Sequence, residues 1–186
     1  MNNKIINIIL GVLTLVLLVT FVNLIYSRVN FENEYASRKK VITKKLQEIK
    51  QYQLAYKDSK GQFADNFDSL THFILTDTFN LNIVKQLGFD SLNEPILDTT
   101  YTYMAVKDSL MPKDYTIEET KLIPFSENKS FKINAGTIRK GNVTVQVFQV
   151  DAPFGDFLND LDENLYDPQE AWTLGSMTEA TYGGNW

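Results

Sequence analysis

An uninterrupted apolar run is the strongest feature of the hydrophobic pattern. Residues 5–26 carry no charged side chain, and as a helix rising about 1.5 Å per residue they match a hydrocarbon core of about 30 Å. The run is longer than the roughly 7–15 apolar residues of a secretory signal, and no small-residue cleavage motif follows Tyr26. The pattern therefore predicts an uncleaved transmembrane helix surrounded by membrane lipids.

A helical period follows the apolar run and occupies residues 27–60. Neither proline nor glycine occurs between Gly11 and Gly61, so the transmembrane helix and this amphipathic helix are predicted to be nearly continuous. Gly61 is placed to end the helix, because glycine accepts the positive φ that a helix terminator needs. The predicted buried stripe consists of Val41, Ile42, Leu46, Ile49, Tyr52, Ala55 and Tyr56.

Beyond Gly61 the pattern changes from helical to alternating. Asp65 and Asn66 are predicted to cap a short helix, and residues 79–95 are predicted to form a further helix or an irregular connection. From residue 99 apolar residues alternate with polar ones, which predicts a three- or four-stranded antiparallel sheet and then a short helix. The strands are expected near residues 101–106, 121–125, 131–135 and 143–150, and the helix near residues 154–161.

These elements predict an α+β fold, in which an N-terminal transmembrane helix continues into a long amphipathic helix packed on a small antiparallel sheet. The predicted division is a flank at residues 1–4, the transmembrane helix at 5–26, the juxtamembrane amphipathic helix at 27–60, the globular domain at 61–165 and a C-terminal tail at 166–186. Aromatic and basic side chains favour the headgroup layer. The residues predicted at the membrane interface are Tyr26, Arg28, Arg38, Lys39 and Lys40.

Charge is distributed unevenly along the 186 residues, whose formal net charge is −5. Residues 1–60 hold 10 Lys and Arg against 4 Asp and Glu, and residues 61–186 hold 8 against 19. The acidic part would repel phosphates and the basic part adjoins the membrane segment, so nucleic-acid binding is excluded. With no cysteine and a single histidine, the sequence also excludes disulfides, thiolate chemistry and multi-histidine metal sites.

Two polar groupings are candidates for chemistry. His72 lies on the predicted short helix without a nucleophile motif beside it, and a structural histidine is the simpler interpretation. Asp160, Asp162 and Asn164 match the first three ligand positions of an EF-hand loop, but the glycine and the bidentate glutamate that such a loop requires do not follow. We therefore predict no enzyme activity, no cofactor and no metal, with a calcium- or glycan-binding periplasmic module as an alternative.

Aromatic residues in the acidic tail form the candidate partner-binding site. Trp172, Tyr182 and Trp186 belong to a segment, residues 151–186, that holds eight acidic residues and no basic one. Large aromatic side chains often anchor protein interfaces. The alternative is that the tail packs over the protein's own sheet.

The end of the long helix carries a resemblance to known proteins. The helix ends after Ala55-Tyr56, the chain reverses at Gly61, and an aromatic residue, Phe63, precedes the capped turn that ends at Leu70. This arrangement resembles the globular domains of type IV pilins and type II secretion pseudopilins. The resemblance implies a helix laid along a sheet, with the phenylalanine tucked under the turn.

The resemblance to pilins does not extend to their processing signal. Met1-Asn-Asn-Lys4 runs directly into Ile5, without the basic leader and glycine of a prepilin, and no glutamate lies within residues 5–26. The resemblance therefore implies a pilin-like architecture in an anchored protein that does not polymerise.

The distal part resembles a family of single-pass membrane proteins from Bacteroidota, which supplies no activity to carry over. The shared segments are Ile123 to Ser126, Gly175 to Ala180 and Gly184 to Trp186. Three Asp-Ser-Leu triplets, beginning at Asp68, Asp90 and Asp108, are similar to sites that such bacteria glycosylate outside the cytoplasm. Each triplet is also explained as a helix cap or turn.

Orientation separates the functional hypotheses. On the N-terminal side of the apolar run the positive charges are Lys4 and the amino terminus, and on the other side six basic residues lie from Arg28 to Lys45. Because the more positive side of a membrane helix usually faces the cytoplasm, this count taken alone places the domain in the cytoplasm. The resemblances imply instead an inner-membrane protein with a periplasmic domain. We expect a non-catalytic subunit or scaffold of a secretion or surface-structure assembly that binds other envelope subunits. The alternative is a membrane adaptor facing the cytoplasm.

Overall fold

A single N-terminal helix dominates the chain. The computed structural model describes residues 3–89, 94–111 and 117–186, and the fold is α+β. Helix α1 (Asn3–Lys60) is continuous, which confirms that the apolar run and the amphipathic segment form one element. The most apolar 18 residues of α1 have a mean hydropathy of 2.8, and none of that stretch is buried in the domain. The N-terminal part of α1 is therefore long and apolar enough to cross a membrane.

The end of α1 and the start of the next helix follow the sequence prediction. Gly61, at a φ of +77°, donates its amide to the carbonyl of Lys57 at 2.7 Å. Helix α2 (Phe67–Thr76) begins where the Asn66 side chain accepts a hydrogen bond from the Ser69 amide, also at 2.7 Å. Glycine and asparagine thus satisfy backbone groups that the helices leave unpaired.

The main sheet is antiparallel, with the strand order β3-β4-β5. Its strands are β3 (Lys132–Lys140), β4 (Val143–Pro153) and β5 (Ala171–Gly175). Strand β5 comes from residues 166–186, the segment predicted as a C-terminal tail, and it pairs with β4. The segment belongs to the sheet because its alternate residues Trp172 and Leu174 face the core.

The apolar stripe of α1 packs against this sheet. Ile42, Leu46 and Ile49 are fully buried, whereas Val41, which the stripe prediction included, is exposed. The Phe63 ring lies 4.6 Å from the Phe148 ring, between their centroids, under the turn that ends α1. The other buried members of this core are Ile123, Phe131, Val150, Ala152, Phe154, Phe157, Leu158, Trp172 and Leu174.

A second, smaller core surrounds α2. Leu70, Phe73 and Ile74 of this helix pack against Tyr52 of α1. Two short helices complete the cluster, α3 (Val106–Leu110) and α4 (Ile117–Lys121). This second core holds α2 against the part of α1 farthest from the apolar run.

Several predictions for the middle of the chain are wrong. Residues 79–95, expected to be helical or irregular, include strand β1 (Thr78–Phe89), which pairs with β2 (Pro95–Ala105) in a sheet of their own. The alternation near residues 101–106 does mark a strand, but its partner precedes it in the chain. Residues 121–125 contribute only an isolated bridge between Leu122 and Ser130.

The last helical segment is shorter than predicted. Helix α5 (Phe154–Phe157) makes one turn, and a 3₁₀ turn follows at Glu163–Leu165. The carboxylate of Asp162 begins that turn by accepting a hydrogen bond from the Asn164 amide at 3.1 Å. This region lies beside the part of α1 that follows the apolar run.

Candidate functional site: an exposed β-hairpin arm

The hairpin of β1 and β2, hereafter the β arm, joins eleven residue pairs in an antiparallel ladder. The register shifts between Gln86 and Gly88, where a bulge interrupts the ladder. At about 3.3 Å per residue, the 12 residues of β1 extend about 40 Å. The Asp-Ser-Leu triplet at Asp90 lies outside the described residues.

Large apolar side chains on the β arm are exposed. Tyr101 and Tyr103 each keep 72% of their surface in solvent. In the register they share one face with Val84 and Leu97, which are also exposed. Together the four residues present roughly 500 Å² of surface, near the upper end of the largest apolar patches on monomers.

The root of the β arm is fixed to the rest of the domain. The Asp77 carboxylate pairs with the Lys60 ammonium at 2.6 Å, and the Asp77 carbonyl accepts a hydrogen bond from the Val106 amide at 3.0 Å. The Phe79 ring meets Phe73 of α2 edge-on. Because Phe79 lies on the opposite face from Tyr103 in the register, the tyrosine face looks away from α2.

Charge is sparse on the described part of the β arm. Within residues 78–89 and 94–105 the ionisable acids and bases are Lys85, Glu94 and Asp98. Two of them, Lys85 and Asp98, are opposite each other in the register. A partner would therefore recognise this surface through apolar contact and backbone hydrogen bonds more than through charge.

The three aromatic residues predicted as a partner-binding strip serve the protein's own core. Trp172 is only 3% exposed and stacks on Phe157 at 5.1 Å. Tyr182 and Trp186 are half-buried against the same core, and the Tyr182 ring stacks on Phe148 at 5.8 Å. The tail thus packs over its own sheet, the alternative that the sequence left open. A partner in this conformation could reach only the exposed edges of Tyr182 and Trp186.

Arg38, predicted at the membrane interface, is instead buried in the domain. It is 7% exposed, and its guanidinium donates two hydrogen bonds, of 2.5 and 2.7 Å, to the Asp160 carboxylate. It also donates to the Phe157 carbonyl at 2.6 Å. The hydrogen bonds from Arg38 hold the pKa of Asp160 below its ordinary value, and they raise the pKa of Arg38.

The other predicted interface residues lie at different heights on α1. Tyr26 ends the apolar run and Arg28 follows two residues later, and both are exposed. Lys39 and Lys40 lie about 20 Å farther along the helix axis than Tyr26. The headgroup layer is about 5–7.5 Å deep on each side, so with residues 5–26 in the hydrocarbon and α1 upright, Tyr26 and Arg28 would fall within it and Lys39 and Lys40 would lie above it.

The candidates for chemistry are engaged in local structure. His72 is exposed, and its Nδ1 lies 3.3 Å from the Thr76 hydroxyl, one turn along α2. Both carboxylate oxygens of Asp160 bind Arg38, so they are committed away from an EF-hand arrangement. In the described part of the chain, no three His, Asp or Glu side chains are grouped to hold a metal ion.

No protein-family model, curated protein or solved structure matches this chain. Sequence reasoning missed the β arm, although β-branched and aromatic residues in β2 and Thr78, Ile83 and Val84 in β1 were a strand signal. The sequence does not show that the arm is exposed. Alternation of apolar and polar residues shows which side chains share a face of a strand, but not whether another element covers that face.

Proposed function

We propose that this chain is a non-catalytic, single-pass inner-membrane scaffold that holds a pilin-like domain outside the cytoplasm and binds another envelope subunit through the β arm. The observation that carries the proposal is the exposed tyrosine face of the arm. A two-stranded hairpin is marginally stable alone in water. Its open edges and apolar face are the features that strand addition by a partner protein would cover.

The height of the β arm favours a protein partner over the anchoring membrane. The root of the arm is tied to Lys60, about 50 Å along the helix axis from Tyr26. An average tilt of about 20° lowers this height only slightly. Strand β1 is about 40 Å long, so its far end would lie about 10 Å from the level of Tyr26 even if the arm pointed back along α1.

The packing of α1 supports the pilin-like part of the proposal. The distal half of the helix lays Ile42, Leu46 and Ile49 on the sheet, and Phe63 lies under the turn after Gly61. This is the arrangement that the resemblance to pilins implies. The N-terminal half of the helix remains free to enter a bilayer.

The three-dimensional charge distribution supports a domain outside the cytoplasm. Asp162 lies in the same cleft as Arg28, and Glu163 and Asp167 follow in the same loop. Arg38, which weighs toward the cytoplasm in the sequence count, is paired with Asp160. Anionic lipids make the cytoplasmic leaflet negative, and they would repel this acidic loop.

Cysteine labelling tests the orientation. The chain has no cysteine, so Ser37→Cys and Ser59→Cys each introduce a single thiol at an exposed position of α1. With only the outer membrane permeabilised, we expect a membrane-impermeant maleimide to label both. Protection of both until the inner membrane is lysed would favour the cytoplasmic adaptor.

Photocrosslinking in cells tests the β arm. A photoreactive phenylalanine analogue at Tyr101 or Tyr103 is expected to give an adduct of discrete mass containing another envelope protein. Val143, an apolar residue that is 63% exposed at the start of β4, is the matched control and is expected to give none. Adducts equal to two copies of this chain would identify self-association, and equal yields at all three positions would contradict a specific docking arm.

A further inference from the structure

A cleft lies where α1 leaves the apolar run. It has a volume of about 370 Å³, between α1 and the 3₁₀ turn at Glu163–Leu165. Leu24, Ile25 and Val29 of α1 and Leu165 of the turn supply its apolar walls. Since the charge-free run ends at Tyr26, the cleft spans the boundary between hydrocarbon and headgroups.

Two side chains of opposite charge line the same cleft. Arg28 of α1 and Asp162 of the turn both border it. Within the described residues they form no ion pair with each other. The contact of Arg28 with Glu32 is long, at 4.0 Å, and both side chains are exposed, so it competes weakly for the guanidinium.

The Asp162 carboxylate is held in place by its neighbours. Its Oδ1 accepts hydrogen bonds from the Asn164 amide at 3.1 Å and from the Asn164 side-chain amide at 2.8 Å. These two bonds hold the carboxylate at the start of the 3₁₀ turn. Asparagine at this position could accept the same two bonds without the charge.

The arrangement fits a ligand that carries both charges and an apolar chain. A guanidinium binds phosphate through paired hydrogen bonds, and a carboxylate binds a primary ammonium. An anionic headgroup would place no cation against Asp162, and the next residue in the chain, Glu163, is also acidic. A choline headgroup lacks the N–H donors that a carboxylate accepts.

We propose that this cleft binds phosphatidylethanolamine, with the phosphate on Arg28, the ammonium on Asp162 and an acyl chain along Leu24, Ile25 and Leu165. The volume lies within the range of about 300–1,000 Å³ that is usual for small-molecule sites. The site requires residues 5–26 to span the membrane, and it does not depend on which side the domain occupies or on the β arm. Bound lipid would fix the domain against the membrane surface.

Alkylation of a thiol in the cleft tests the proposal on the full chain. Ser27 lines the cleft, so Ser27→Cys reports on its occupancy. Nanodiscs would contain phosphatidylcholine alone, or equal parts phosphatidylcholine and either phosphatidylethanolamine or phosphatidylglycerol. We expect phosphatidylethanolamine to slow alkylation about fivefold relative to the other two, as expected when ligand is in several-fold excess over its Kd. Ser37→Cys, higher on the same helix, should react equally in all three.

Charge variants show whether the two proposed contacts are responsible. In the Ser27→Cys background, Asp162→Asn and Arg28→Gln should each abolish the protection by phosphatidylethanolamine. Glu163→Gln, adjacent to Asp162, should retain it. Equal alkylation in all three lipids, or loss of protection in Glu163→Gln, would overturn the proposal. Retention of phosphatidylethanolamine in native mass spectrometry by the parent and by Glu163→Gln, but not by Asp162→Asn, would support it independently.

Discussion

Arg38 and Asp160 form an ion pair, but the two side chains differ in burial. The side chain of Arg38 is almost fully buried, whereas that of Asp160 is 59% exposed. The buried Arg38 Nε has no hydrogen-bond partner, and Glu34 approaches it only to 3.8 Å. The guanidinium therefore depends on Asp160 and the Phe157 carbonyl for its compensation in the interior.

This difference in burial predicts that substituting Asp160 lowers the free energy of unfolding more than substituting Arg38 does. Asp160→Ala leaves a buried cation unpaired, and we expect it to lower the free energy of unfolding by about 2–3 kcal/mol. Arg38→Met removes the buried charge and keeps the apolar packing of the stem, so a loss of about 1 kcal/mol is expected. Urea titration of the full chain in mild detergent measures both. Equal losses, or a larger loss for Arg38→Met, would contradict the assignment.

The same pair predicts a pH dependence. The pKa of Asp160 is depressed by the hydrogen bonds from Arg38, so on acidification the unfolded chain takes up this proton first. The contribution is complete above the ordinary carboxyl pKa of about 4 and is lost as pH falls through the lower folded-state pKa. We expect the urea midpoint to fall more steeply below about pH 4 in the parent than in Arg38→Met. Parallel pH profiles would exclude the contribution.

Among the elements, the junction between α1 and α2 depends on one buried polar side chain. Gln53 is fully buried, its Nε2 donates to the Ala64 carbonyl at 2.8 Å, and its Oε1 accepts from the Ala64 amide at 2.9 Å. The two bonds satisfy both backbone groups of a buried loop residue. They fix the chain reversal that places α2, and hence the root of the β arm.

Gln53→Leu is expected to destabilise the chain although leucine is more apolar. It leaves the buried amide and carbonyl of Ala64 without partners, which costs about 2–4 kcal/mol in the free energy of unfolding. Gln51→Leu, two residues earlier and exposed, is the matched control and should change stability by less than about 0.5 kcal/mol. Equal urea midpoints for the two variants would show that the Gln53 bonds are not needed.

Local sequence patterns predicted most helices and strands well, but they did not predict which strands pair with each other. The continuous α1, the Asn66 cap, the Gly61 terminator and strands β3 and β4 follow from periodicity and from backbone chemistry in sequence. The pairing of β2 with β1 and the joining of β5 to β4 do not. Alternation specifies a strand and its two faces, whereas strand pairing depends on which other segments compete for the same edge.

At the scale of the molecule, α1 is one continuous helix of 58 residues that joins the apolar run to the domain. It contains no proline, and its one glycine, Gly11, lies within the apolar run. Its distal half is fixed to the sheet by the buried stripe. With residues 5–26 in a bilayer, the number of helical residues after Tyr26 would determine the distance from the membrane to the β arm.

Distances between pairs of spin labels test whether α1 is continuous in a membrane. In the full chain in nanodiscs, labels at Ser27→Cys and Ser59→Cys are expected about 48 Å apart along the helix axis. Labels at Ser37→Cys and Ser59→Cys, within the part that packs on the sheet, should be about 33 Å apart and serve as the control. A first distance that is broad or below about 40 Å, with the second unchanged, would show a break between residues 27 and 37.

The sequence by itself determined the α+β class and a long helix whose N-terminal part is apolar enough to cross a membrane, because hydrophobic period and helix-ending residues act through neighbours in the chain. It also showed a basic segment after the apolar run and an acidic body. Only the tertiary structure decided that Arg38 is paired with Asp160, that Asp162 and Arg28 line one cleft, and that the tyrosine face of the β arm is uncovered. Charge neutralisation and burial depend on distances in space, and residues more than a hundred positions apart set them here.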